Sequence, residues 1–226
     1  MLVKNWMSKP AITIEADASM HNAIGLLKQH NIGMLPVMEG DRIAGIVTDR
    51  DLKRASPSDL NSLEIHDLVD LIARIKVKTL MTKEPITVPY NCTVEETAIK
   101  LFVNNISGVP VVDQVGKVIG VITKNDLFRV LISLTGITKK GIQFAFQLTD
   151  RPGAIREVTD MIRDYGGRIA SILSTRERVE RGQIKVYVRA YGLDIPTRRR
   201  LKEFVKEAVP LLYIIDHEEN IREIFV

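Results

Sequence analysis

The chain has 226 residues, 45% of them hydrophobic and 27% charged, with a net charge of +4 and a single cysteine, Cys92. This composition is that of a globular protein. One cysteine excludes an internal disulfide, and no apolar run reaches the roughly 18 residues that a transmembrane helix needs.

The N-terminus, Met-Leu-Val-Lys-Asn-Trp-Met, has no apolar signal region, so a cytoplasmic protein is expected. Residues 12–14 are a short extended segment. Met20, Ala23, Ile24 and Leu27 follow at helical spacing. Two strands come next, Leu35–Met38 and Ile43–Val47, joined by a Glu39-Gly40-Asp41 turn. From Leu60 to Ile75 a polar start leads into an amphipathic helix containing Leu68, Leu71, Ile72 and Ile75.

The first pattern then returns. Met7-Ser8-Lys9 reappears as Met81-Thr82-Lys83, and Ile12-Thr13-Ile14 as Ile86-Thr87-Val88. Asn31-Ile32-Gly33-Met34-Leu35-Pro36-Val37 reappears as Asn105-Ile106-Ser107-Gly108-Val109-Pro110-Val111, all at an offset of 74. After one inserted residue, Gly45-Ile46-Val47-Thr48 matches Gly120-Val121-Ile122-Thr123, and Asp51-Leu52 matches Asp126-Leu127. Thr93 and Glu96 are spaced as a capping box for the second copy's first helix. Its strands are expected at Val109–Asp113 and Val118–Ile122.

Beyond a hinge near Thr135–Lys140 the pattern changes. Ile142–Leu148 alternates like a strand. Pro152 opens a helix whose face is Ile155, Val158, Ile162 and Tyr165, and Gly166-Gly167 ends it. A hairpin, Ile169–Thr175 and Ile184–Ala190, turns around Arg181-Gly182. A second helix has Leu201, Phe204, Val205 and Ala208 on one face, and Leu211–Ile215 is the last strand. The order β-α-β-β-α-β is a ferredoxin-like plan.

Basic and acidic residues balance over 1–138, so the excess charge lies in 139–226. It includes Arg198, Arg199, Arg200 and the run from Arg176 to Arg181. These read as a solvated helix face and a polar hairpin, because they are interleaved with Glu and lack the aromatic partners of a nucleic-acid surface.

Thr48-Asp49-Arg50-Asp51 and Thr123-Lys124-Asn125-Asp126 each lie where an apolar strand gives way to a helix. A helix start favours phosphate. A Thr hydroxyl there can bind phosphate or ribose, and an Asp one turn later can accept from ribose hydroxyls. The same pairing also reads as a helix cap, and both readings stand. Arg50 supplies a phosphate-binding fork beside Asp49, whereas the second copy has Lys124 beside neutral Asn125, so two unlike sites are expected.

The doubled unit resembles a tandem CBS-domain pair, or Bateman module, with domains at 1–56 and 77–134 and a connecting segment at 57–76. With Asp150-Arg151-Pro152-Gly153 at its first turn, the region 140–216 looks like an ACT domain, and 217–226 is read as a tail. The overall expectation is an α/β (α+β) protein, a CBS pair followed by a ferredoxin-like βαββαβ ACT domain, a plan similar to acetoin-utilisation (AcuB-like) proteins. The resemblance implies a non-catalytic sensor of AMP, ADP, ATP or S-adenosylmethionine, possessing no catalytic cofactor and pairing as a homodimer with a target protein unknown. Asp51 and Asp126 would hold ribose, with Thr48 and Thr123 near ribose or phosphate. Ile12, Thr13, Ile14, Pro36 and Val37, and Ile86, Thr87, Val88, Pro110 and Val111, would frame the base. Asp150, Pro152, Gly153, Ala154 and Ile155 would form an amino-acid site, although Arg168 stands where such domains carry Asn; a purely dimerising role is the alternative. The rivals for the whole chain are a ligand-free scaffold and a weak nucleotide-hydrolysing enzyme.

The residues give no Gly-x-Ser-x-Gly elbow, no phosphate loop and no Gly-x-Gly-x-x-Gly. His21, His30, His66 and His217 lack metal-ligand spacing. His30 reads as a charge partner at a helix end, His217 as solvated, and Cys92 as a small structural residue. Trp6 and Ile224-Phe225-Val226 read as packing or subunit contacts.

Overall fold

The computed structural model describes residues 1–55 and 73–225 and divides into two compact units, Met1–Phe128 and Arg129–Val226. Leu68, Leu71 and Ile72 of the expected connecting helix, and the C-terminal Val226, lie outside the described residues.

In the first unit, Ser19 caps the helix Met20–His30 by accepting from the Asn22 N–H at 3.1 Å, and Asn31, at φ 50°, ends it. Met20, Ala23 and Leu27 are buried, as their spacing predicts. Strands β1 (Ile14–Glu15), β2 (Met34–Glu39), β3 (Arg42–Thr48) and β4 (Thr82–Lys83) form one sheet in that order. Strands β5 (Val88–Pro89), β6 (Gly108–Val112) and β7 (Val118–Thr123) form a second. The capping box is present: Thr93 Oγ1 accepts from the Glu96 N–H, and the Glu96 carboxylate accepts from the Thr93 N–H at 2.8 Å. It starts the helix Val94–Val103.

The two copies exchange their leading segments. β4 belongs by sequence to the second copy but pairs with β3 of the first, with Thr82 opposite Ile46. Its counterpart Ser8 bridges Val121 on β7 of the second copy. The backbone bonds repeat the exchange at the offset of 74. Val3 N–H donates to Cys92 O and Val94 N–H to Met1 O; Val77 N–H donates to Ala18 O and Met20 N–H to Ile75 O. Val3 and Val77 are fully buried, so each anchors its segment in the opposite half.

This exchange explains the motif glycines. A Cβ on Gly45 would lie 2.7 Å from Thr82 O, and one on Gly120 would lie 2.8 Å from Ser8 O. Neither glycine makes a turn; each admits a strand from the other copy. Gly120→Ala is expected to destabilise the first unit by about 1–3 kcal/mol through overpacking against backbone. Urea unfolding checks this, and an unchanged midpoint would refute the role.

The second unit has β8 (Ile142–Thr149), the helix Ala154–Asp164, β9 (Arg168–Thr175), β10 (Gln183–Tyr191), the helix Ile195–Ala208, β11 (Leu211–Asp216) and β12 (Ile221–Ile224). All neighbours are antiparallel in the order β12-β11-β8-β10-β9. This is the expected βαββαβ plan with one strand added. Phe144, Phe146, Val186, Ile162 and Leu201 are at the centre of its core.

The structure departs from five expectations. Pro152 does not open the first helix: Gly153 precedes it at φ 90°, a left-handed conformation, so helix begins only at Ala154. The stretch read as a tail contains β12, because Asp216 Oδ1 accepts from the N–H groups of Glu218 and Glu219, each at 3.1 Å, and turns the chain back onto β11. Phe204 is 41% exposed and tilts against Tyr165 rather than entering the core. Arg198 and Lys202 are 2% and 4% exposed, so the helix face read as solvated is partly buried. Arg198 donates to Asp216 at 2.9 Å and also to Leu193 O and Glu218. Lys202 lies 3.6 Å from Asp216. Burial alone would raise the Asp216 pKa, but the N–H groups of Glu219 and Glu218 and the Arg198 guanidinium together hold it below the usual carboxylate range.

His217 is half-buried rather than solvated, and its Nε2 is enclosed without a hydrogen-bond partner. Burial, with Arg189 and Arg222 nearby, lowers its pKa, although Asp216 opposes this. The unfolded chain therefore binds the proton more readily. Stability is retained above the unfolded pKa of about 6.5 and falls as pH drops through that value toward the lower folded one. Thermal unfolding between pH 7.5 and 5 is expected to show a steeper acid loss in the wild type than in His217→Gln; parallel curves would refute the assignment.

Candidate functional site

The two Thr–Asp motifs close in the same way. Thr48 ends β3, and the helix Asp49–Ala55 follows. Thr48 Oγ1 donates to Asp51 Oδ2 at 2.6 Å, the Thr48 N–H donates to the same oxygen at 2.9 Å, and the Asp51 N–H returns to Thr48 Oγ1 at 3.3 Å. In the second copy Thr123 ends β7, and the helix Lys124–Thr135 follows. The matching distances are 2.8, 2.9 and 3.4 Å. Both are capping boxes with Asp in the place of Glu.

The start of each helix is more occupied than the sequence suggests. The Asp49 N–H donates to Gly33 O at 3.1 Å, and the Lys124 N–H to Ser107 O at 2.8 Å. A ligand at either site must therefore share the Asp carboxylate with its cap. The surroundings of the two motifs differ. Asp49 pairs with Lys53 at 2.6 Å, so its charge is engaged away from the exposed Arg50. Lys124 is half-buried and Asn125 exposed.

The segments expected to frame a base are paired within each copy. Ile14 is opposite Val37 in the parallel β1–β2 pair, and Val88 is opposite Val111 in β5–β6. The side chains of Ile14, Val37, Val88 and Val111 are buried, and so are Pro36 and Pro110. Ile12, Thr13, Ile86 and Thr87 keep exposed surface. Sequence reading missed Met34 and Gly108, the residues facing Thr48 and Thr123 across the β2–β3 and β6–β7 pairs. The aligned repeats contain the signal, since these are the one bulky-to-absent exchange within the matched heptads.

A shallow cavity of about 300 Å³ lies elsewhere on the second copy, lined by Tyr90, Asp113, Gln114, Val115 and Ile119. It sits at the β6–β7 turn, at the opposite end of that hairpin from Thr123, so it is not the Thr–Asp site. Burial, and the hydrogen bond to Glu96, push the Cys92 thiol up, which disfavours the reactive thiolate. The Thr93 N–H and hydroxyl hold Glu96 down at about 2.

In the second unit, both Asp150 oxygens are taken by the Arg176 guanidinium at 2.6 and 2.9 Å, and this pairing lowers the Asp150 pKa. Arg151 makes a matching fork to Glu157 at 2.8 and 2.7 Å. Pro152 and Gly153 are exposed, Ala154 is buried, and Ile155 packs on the core. Among the described residues there is no metal-binding cluster of His, Cys, Asp or Glu, and no helix is long and apolar enough to cross a membrane.

Known proteins match this arrangement. A CBS domain-containing protein of Dictyostelium discoideum is 36% identical over 135 residues, covering 59% of this chain and 93% of that protein. The L-aspartate semialdehyde sulfurtransferase of Methanocaldococcus jannaschii is 35% identical over 129 residues, 57% of this chain but only 23% of the enzyme. The crystal structure of a Vibrio cholerae protein assigned to acetoin utilization (AcuB) superposes with a TM-score of 0.51 at 22% identity, covering 62% of this chain and 96% of that one. At that identity the likeness extends to the fold and not to acetoin. The model of the CBS domain matches residues 3–58 and again 77–133, half of the chain and the same two copies that the repeat and the paired sheets define, so the chain belongs to the CBS-domain family.

Proposed function

We propose that this chain is a non-catalytic regulatory protein whose CBS pair senses an adenine nucleotide or S-adenosylmethionine, and whose second unit is an ACT domain that dimerises or senses an amino acid. The observation that supports the ligand reading most is the Thr–Asp pair, built twice at the same strand-to-helix junction with the same bonds. At Asp51 the cap accounts for one carboxylate oxygen, Oδ2, and a ribose hydroxyl needs only an acceptor. Ile12 and Ile86 supply apolar surface for a base.

The ligand-free scaffold is the second reading. It is favoured by the same bonds, since each Thr and Asp is satisfied by its partner. Native mass spectrometry of the purified protein with AMP, ADP, ATP and S-adenosylmethionine separates the two readings: retained ligand supports sensing, and no adduct with any of the four supports the scaffold. The same spectrum reports subunit number. Pairing with a second copy is supported by the helix Val94–Val103, where Ile99, Phe102 and Val103 are 63%, 85% and 72% exposed. The corresponding residues of the first copy are Gly25, Lys28 and Gln29.

A further inference from the structure

We infer that the two CBS sites differ in room as well as in charge, and that Met34 makes the Thr48–Asp51 site the open one while obstructing the Thr123–Asp126 site. The inference rests on the ligand reading above and assigns it a direction.

Positions 34 and 108 are equivalent in the repeat and begin β2 and β6. Met34 faces Thr48, and Gly108 faces Thr123. A Cβ placed on Gly108 would lie 2.7 Å from Met34 Sδ and 3.0 Å from Thr123 Cγ2. The Met34 thioether therefore reaches out of its own copy and rests over Gly108, beside the Thr123 methyl. Gly108 has no side chain with which to return the contact. The bulk at this junction is displaced to the second copy's side.

Burial of the carboxylates agrees. Asp126 is only 5% exposed, whereas its counterpart Asp51 is half-buried. The bonds within the two caps are nearly identical. Exposure favours the first copy for an incoming ribose, and Arg50 is exposed on the same helix. Met34 itself is 7% exposed, so it is held in place and does not swing freely in solvent. Methionine is an adaptable filler, and shortening it is expected to open the second site without remaking the strand.

Isothermal titration of the full chain with AMP, ATP and S-adenosylmethionine tests this. The wild type is expected to take one equivalent of a binding probe, with an affinity that Asp51→Ala weakens about 10- to 100-fold. Met34→Ala, or Met34→Gly, is expected to take two. Two equal sites in the wild type, or an unchanged stoichiometry in both variants, would overturn the proposal. A ligand-free arm separates its failure from that of the ligand reading. In a Cys92→Ser background, Thr48→Cys is expected to react with a small thiol reagent about tenfold faster than Thr123→Cys. Adding Met34→Ala is expected to speed the second but not the first. Equal rates, or no response to Met34→Ala, would refute the space-filling role whether or not any probe binds.

Discussion

Arg198→Met is expected to destabilise the second unit by about 3 kcal/mol. Arg198 and Asp216 are 2% and 0% exposed and hydrogen-bonded at 2.9 Å. Removing one member of a buried ion pair leaves the other charge in a poor solvent, at a cost of about 3–5 kcal/mol. The lower end applies because Lys202 remains 3.6 Å from Asp216 and retains part of the compensation. The variant also releases Leu193 O and Glu218, which the same guanidinium engages. Urea unfolding followed in the second unit measures the loss. The double variant Arg198→Met with Asp216→Asn should recover much of it, because the orphaned charge is then gone. A single-variant loss below about 1 kcal/mol, the range of exposed pairs, would show that the network contributes little.

Asp51→Ala is expected to weaken binding of an adenine probe at the first site by about 10- to 100-fold. A hydrogen bond to a charged group contributes about 1.5–3 kcal/mol, and the carboxylate is the acceptor proposed for ribose. The same substitution removes the Thr48 cap, which costs about 1 kcal/mol of stability. The two effects separate in measurement: titration calorimetry reads the affinity, and thermal unfolding without ligand reads the cap. Asp126→Ala should show the cap cost with little effect on wild-type affinity, since the second site is the obstructed one. Equal losses of affinity from Asp51→Ala and Asp126→Ala would contradict the asymmetry. A stability cost without any affinity change in either variant would leave the Thr–Asp pairs as helix caps only.

The local order of elements was legible because it is set by short-range chemistry. Helical spacing at Met20, Ala23 and Leu27, the Thr93–Glu96 box and the alternation of Ile142–Leu148 all act within a few residues, and all are found in place. The Pro152 misreading has a local cause too. A proline fits the first turn of a helix, but the positive φ of Gly153 postpones that helix. The Thr–Asp sites were legible as motifs, though their spacing could not say whether cap or ligand comes first, since one geometry serves both.

By itself the sequence determined that the unit is doubled, where most of the described helices and strands lie, and which four residues stand at the two junctions. Periodicity and identity of residues suffice for that. Only the tertiary structure decided what crosses between the copies. Ser8 and Thr82 take places in the opposite halves, Gly45 and Gly120 stay bare to admit them, and Met34 extends over Gly108. It likewise decided that Arg198 is buried against Asp216, eighteen residues away in sequence. These contacts depend on the folded path of the chain, and neither burial nor the direction of a long side chain is encoded in the spacing of its neighbours.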